Sequence, residues 1–97
     1  MEVVGRCARK QYARGADSYD MDYFTFSLKT ESLPPDLVSA VRPVDVWRIM
    51  QYIVQRELIS VEMQSGHMSL EYAKERLDHL QLCLGPELAA LVTLHGC

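Results

Sequence analysis

The spacing of apolar residues between positions 43 and 65 is the strongest pattern in the chain. Apolar side chains recur there at steps of three and four, which is the period of a helical face. Pro43 suits the first turn of such a helix, because an N–H at that position would have no partner within the helix. The helix carries two neighbouring apolar stripes, one of Trp47, Met50, Val54, Leu58 and Val61 and the other of Val46, Ile49 and Ile53.

A second helix is predicted over 69–84. Ser65-Gly66 interrupts the first pattern, and Gly66 suits the left-handed conformation that follows many helix ends. Because the link is short, the two helices should lie antiparallel, as a helical hairpin. A short helix over 86–95 should follow, and a helical turn over 36–41 should precede the hairpin. The apolar seam of the second helix consists of Leu70, Ala73, Leu77, Leu80 and Leu84.

Residues 58–64 fit two patterns. Apolar and polar residues alternate in this stretch, as they would in a half-buried strand. The same residues also continue the helical stripe that starts at Trp47. The window is too short for the two periods to separate, so helix and strand both remain open, and continuity with the preceding stripe favours the helix.

The N-terminal third predicts a β-ribbon over 1–31. Phe24, Phe26 and Leu28 alternate with polar residues, which is typical of a strand with one buried face. The partner strand should lie within Glu2–Ala13, with Arg14–Met21 as the connecting loop, although residues 6–14 are also rich in helix formers. The expected fold is therefore α+β, a single domain over 1–97. Its elements are a two-stranded antiparallel ribbon, a long antiparallel helical hairpin and a short C-terminal helix.

Charge and composition limit the possible partners and cellular compartment of the protein. The formal net charge of −3 argues against nucleic-acid binding by the whole surface. No run of apolar residues approaches the roughly 20 needed to cross a bilayer, and the start of the chain does not resemble a signal peptide. Three cysteines form an odd set without the spacing of a disulfide framework. These features predict a cytoplasmic protein that does not contact membranes.

The candidates for chemistry each have a simpler interpretation. His79 and Cys83 share a helix face, and with His95 and Cys97 they could make a zinc site on paper, but the paired spacing of structural sites is absent. Cys83 is more simply a packed thiol than a nucleophile. Asp17, Asp20 and Asp22 lack the glycine and closing glutamate of a calcium loop. We therefore expect no catalytic residues, no metal and no cofactor, and a protein that is not an enzyme.

A basic cluster in the ribbon supports an alternative function. If residues 2–13 form a strand, basic side chains would line it and could follow the phosphates of a nucleic acid. The acidic residues that come next would repel phosphates, and charges on an edge strand also serve to prevent aggregation. Binding of nucleic acid is thus the second hypothesis, with Arg6, Arg9, Lys10 and Arg14 as the candidate contacts.

The first hypothesis is protein binding. The first half of the helix over 43–65 is apolar on more sides than one hairpin partner could cover, and aromatic and methionine side chains are enriched at interfaces. This pattern predicts a homodimer that also binds another, unidentified protein, as a small adaptor, regulator or inhibitor. The predicted interface consists of Val46, Trp47, Ile49, Met50, Ile53 and Val54.

Overall fold

A computed structural model describes residues 1–12 and 19–96 of the chain, with side chains for 1–7 and 23–96. It has the predicted α+β fold, with an N-terminal antiparallel ribbon followed by helices. Residues 58–64 are helical, so the helix favoured by continuity is confirmed over the strand. The elements are β1 (Glu2–Tyr12), β2 (Tyr19–Lys29), a 3₁₀ turn (Thr30–Ser32), α1 (Pro35–Ala40), α2 (Pro43–Gln64), α3 (Leu70–Leu84) and α4 (Pro86–Leu94).

The ribbon is longer than the sequence pattern predicted. Glu2 is paired with Lys29 at one end and Tyr12 with Tyr19 at the other. The partner strand predicted within Glu2–Ala13 is confirmed, and residues 6–12 are strand and not the alternative helix. The predicted loop was wrong at its end, because residues 19–21 belong to β2. The alternation of apolar residues from which this strand was predicted begins only at Phe24. Residues 13–18 lie outside the described part of the chain.

One face of the ribbon packs on α2. Val3 and Cys7 are buried in a cluster with Val54 and Leu58 of the helix. Gly5 lies between them at the point of closest approach, where a Cβ would be only 2.5 Å from Val54 Cγ1 and 2.7 Å from Leu58 Cδ1. A glycine is needed at this position because any side chain would push the ribbon away from the helix.

The helical hairpin forms as its end signals predicted. α2 ends at Gln64, and Gly66 takes a positive φ of 81°. Ser69 caps α3, where its side-chain oxygen accepts a hydrogen bond from the N–H of Tyr72 at 3.2 Å. Gly85, with a φ of 95°, separates α3 from α4. The chain thereby returns along α2 and places α4 against its first half.

Candidate functional site

The predicted interface residues lie mostly inside the chain. Val46, Ile49, Met50 and Val54 are buried, and Ile53 is half-buried. Trp47 alone among them is exposed, with 48% of its surface accessible. A partner could therefore reach Trp47 directly, whereas the buried residues could be reached only if the core opened.

Other parts of the same chain cover most of the two apolar stripes of α2 and leave Trp47 exposed. Met50 and Val54 pack against the ribbon, whereas Ile49 packs against Leu37 of α1 and Leu88 of α4. The hairpin partner α3 alone does not cover the stripes, as expected, but the ribbon, α1 and α4 supply much of the remaining cover. The homodimer inferred from these stripes stays a prediction.

A groove remains open between α2 and α3, beside Trp47. It encloses about 250 Å³. Trp47 and Tyr52 provide aromatic surface on the α2 side, and Leu80 and Leu84 provide aliphatic surface on the α3 side. Such a mixture of aromatic and aliphatic side chains resembles the buried centre of a protein interface. The full lining is Trp47, Arg48, Gln51, Tyr52, Gln55, Leu80, Cys83 and Leu84.

Arg48 fixes one end of this groove. Its Nη2 donates to the backbone carbonyl oxygen of Cys83 at 2.6 Å and to that of Leu84 at 3.1 Å. These are carbonyls of the last turn of α3, which have no partner within the helix and carry the negative end of its dipole. Nη1 of the same guanidinium donates to Asp45 Oδ1 at 3.5 Å, and Asp45 also accepts from Arg42 Nε at 3.1 Å. The end of α3 is thus tied to the start of α2.

The α2 wall of the groove is formed by one row of side chains. This row consists of Trp47 followed by two polar residues, Gln51 and Gln55, at steps of four, so all three lie along one side of the helix. Eight residues at 1.5 Å each make this wall about 12 Å long. The two glutamine amides can each donate and accept hydrogen bonds beside the apolar floor. The α2 wall of the groove is therefore about two helical turns long and carries polar side chains along its edge.

The exposed thiol of Cys83 lies at the edge of the groove. Its sulfur is 3.5 Å from His79 Nε2, one helical turn earlier. A catalytic pair of this kind would need a third group to orient the histidine. Within the described residues, no group of three or more His, Cys, Asp or Glu could hold a metal ion. Cys97, one of the four ligands considered from sequence, lies outside that part of the chain.

The basic segment is described only in part. Arg6 is exposed on the ribbon, and its guanidinium carbon lies 4.1 Å from the centre of the Tyr23 ring, which is a cation–π contact. Arg9 and Lys10 belong to β1, where the register pairs Arg9 with Asp22 and Lys10 with Met21. Arg14 lies outside the described residues. Contact with nucleic acid stays a prediction from the sequence.

Sequence reasoning found Trp47 but missed most of the groove. Leu80 and Leu84 were assigned to the seam of α3, and Leu84 is indeed buried there, but Leu80 is only half-buried and faces the opening. Gln51 and Gln55 were not among the predicted site residues, because polar residues on a helix normally indicate a face exposed to solvent. Their spacing of four from Trp47 was the available signal. It becomes meaningful only once α3 is known to leave that side open.

Comparison of the chain with protein-family models, with curated proteins and with solved structures gives no match. Among the helices of the described residues, none is both long enough and apolar enough to pass through a lipid bilayer.

Proposed function

We propose that the chain is a small non-catalytic interaction module, which acts as an adaptor, regulator or inhibitor by binding another protein in the α2–α3 groove. The observation that carries the proposal is the half-exposed indole of Trp47 at the edge of an apolar groove. Tryptophan is among the residues that contribute most to binding energy at interfaces. Its exposure in the unbound chain leaves apolar surface that a partner would bury.

The occupant that fits best is an amphipathic helix of the partner. Two antiparallel helices form the walls, so a third helix can pack between them in the way helices bind hydrophobic grooves. The distance from Trp47 to Gln55 corresponds to about two turns, which would bring two or three apolar anchors of the partner onto the accessible apolar lining of Trp47, Tyr52 and Leu80. The glutamine rim would then meet the polar flank of that helix.

The experiment uses helical peptides selected from a displayed library on the intact chain. Trp47 is the single tryptophan of the sequence, so its fluorescence reports binding in the groove directly. We expect Trp47→Ala to weaken binding by at least about tenfold, which corresponds to about 1.4 kcal/mol, when measured by calorimetry. Trp47→Phe should lose less, because it keeps part of the aromatic surface.

The matched control is Leu82→Ala. Leu82 is 80% exposed on α3, but it lies in the crevice with α4 and not in the groove. The Leu82→Ala variant also removes an exposed apolar side chain, but it should leave the affinity for the peptide unchanged. Selected peptides that bind the Trp47→Ala chain as tightly as the original, or that lose affinity through Leu82→Ala instead, would place the binding surface elsewhere and end the proposal.

A further inference from the structure

We propose that the chain forms a homodimer through the outer edge of β2, which joins two ribbons into one four-stranded antiparallel sheet. The inference is independent of the groove, which lies on the other side of α2. In the described part of the chain the sheet has two strands, so no strand lies beyond β2. An edge strand of this kind presents backbone donors and acceptors that another strand can pair with.

The hydrogen-bond pattern shows which groups this edge offers. The N–H of Thr30 donates to the carbonyl oxygen of Met1 at 3.0 Å, and these two residues continue the register of the ribbon. Bonded and non-bonded pairs alternate along an antiparallel ladder, so Phe26 with Gly5 is a bonded pair and Thr25 with Arg6 is not. The N–H and C=O groups of Thr25 and Ser27 therefore point away from β1.

The side chains of this edge are suited to pairing with another strand. Residues 23–28, Tyr-Phe-Thr-Phe-Ser-Leu, contain no charge, proline or glycine and have high β-propensity. Phe24, Phe26 and Leu28 are only half-buried, whereas Val3 and Cys7 on the neighbouring strand are buried. The cover supplied by α2 is thus centred on β1 and leaves the apolar side chains of β2 partly open.

A second copy of the chain is the occupant that the sequence of this edge favours. The segment Phe24-Thr25-Phe26 reads the same in both directions, so antiparallel pairing of two copies about Thr25 places phenylalanine opposite phenylalanine, with no charged side chain among the paired residues 23–27. The edge of β1, in contrast, carries charged residues, including Glu2 and Arg6, which discourage pairing there. A self-complementary edge of this kind produces a closed dimer with two-fold symmetry.

The register follows from keeping the apolar faces together. A two-fold axis through Thr25 places Phe24 of each copy opposite Phe26 of the other. These would be non-bonded pairs, in which the two Cα atoms are only about 4.5 Å apart and the side chains are closest. The helices of both copies then lie on the same side of the new sheet, and the half-buried phenylalanines fill the space between them.

The test places like charges on the proposed axis. Thr25→Glu puts two carboxylates opposite each other in the dimer, while within one chain the new carboxylate faces Arg6 and should not weaken the ribbon. Mass measurement by light scattering should show a dimer for the original chain, including at high salt, since the contact is uncharged. Thr25→Glu should raise the dimer dissociation constant by about tenfold or more.

The matched control is Val4→Glu, which adds the same charge to the exposed face of β1 and should leave the dimer intact. Mixing Thr25→Glu with Thr25→Lys chains should restore association, because the axis pairs position 25 with itself. Amide exchange should show that the N–H groups of Thr25 and Ser27 become protected as the dimer forms.

The inference would be overturned by a monomeric original chain, by a Thr25→Glu chain that dimerises unchanged, or by dissociation through Val4→Glu instead. Dissociation by Trp47→Ala would also overturn it, because the self-contact would then lie at the groove. Failure of peptides to bind that groove, with a dimer still broken by Thr25→Glu, would end the proposed function and leave the edge dimer standing.

Discussion

The two long sides of α2 are packed in different ways. On the side of the ribbon, Met50 and Val54 are fully buried and Gly5 approaches so closely that no side chain fits between strand and helix. On the side of α3, Trp47 remains half exposed and a groove of about 250 Å³ stays open. The first side contributes buried core, and the second leaves apolar surface exposed, where we propose that a partner binds.

The largest expected effect separates these two sides at neighbouring positions. Met50→Ala removes a side chain with no exposed surface and should lower the free energy of unfolding by about 2–5 kcal/mol. Trp47→Ala, three residues earlier, should cost about 1 kcal/mol or less, since much of the indole is already in water. Urea unfolding of both variants measures the difference.

A reversed order would mean that the exposed indole contributes more to the fold than the buried thioether, and the contrast between the sides would fail. The same reasoning applies to a charged substitution such as Met50→Asp. It would bury an unpaired carboxylate in the core and unfold the chain, so loss of association in that variant would say nothing about an interface.

A somewhat smaller effect tests the close contact on the ribbon side. Gly5→Ala adds a methyl group that would lie within 3 Å of side-chain atoms of Val54 and Leu58, both of which are buried and would have to shift. Overpacking of this kind costs about 1–3 kcal/mol. Thermal or urea unfolding of the variant gives the value.

The control for that change is the same substitution in a Val54→Ala chain. Shortening Val54 removes the nearest atom, so Gly5→Ala should cost clearly less there than in the original chain. Equal costs in both backgrounds would show that the strand does not press on the helix at this point, and that another property of glycine decides the stability.

The difference between the two sides also explains which parts of the structure could be predicted from the sequence. Periodicity and end signals predicted α2, α3 and α4, because each depends on residues close together in the chain. The cover of α2 could not be predicted, since the apolar stripe of Met50 and Val54 is the same whether a ribbon or a second protein packs on it. The groove could not be predicted from the sequence for a related reason. It is a gap between two helices, and its polar rim at Gln51 and Gln55 resembles any solvated helix face.

The smallest effect concerns the groove side, at Arg48. Its guanidinium joins the carbonyl oxygens at the end of α3 to Asp45 at the start of α2, but its side chain is 41% exposed, so water competes for each hydrogen bond. Arg48→Met keeps the aliphatic stem and removes the charged group. We expect a loss of about 1 kcal/mol, below the value for an unscreened charged hydrogen bond, measured as a lower urea midpoint at constant slope.

Arg48→Lys is the informative companion variant. A lysine keeps the positive charge near the negative end of the α3 dipole, but it lacks the planar fork that reaches two carbonyl oxygens and a carboxylate together. If charge alone stabilises this junction, the lysine chain should match the original. If the directed hydrogen bonds matter, it should resemble Arg48→Met. The second outcome is the one the geometry supports, because one guanidinium nitrogen donates to two carbonyl oxygens at the end of α3 while another donates to Asp45, and a lysine ammonium cannot reproduce that arrangement.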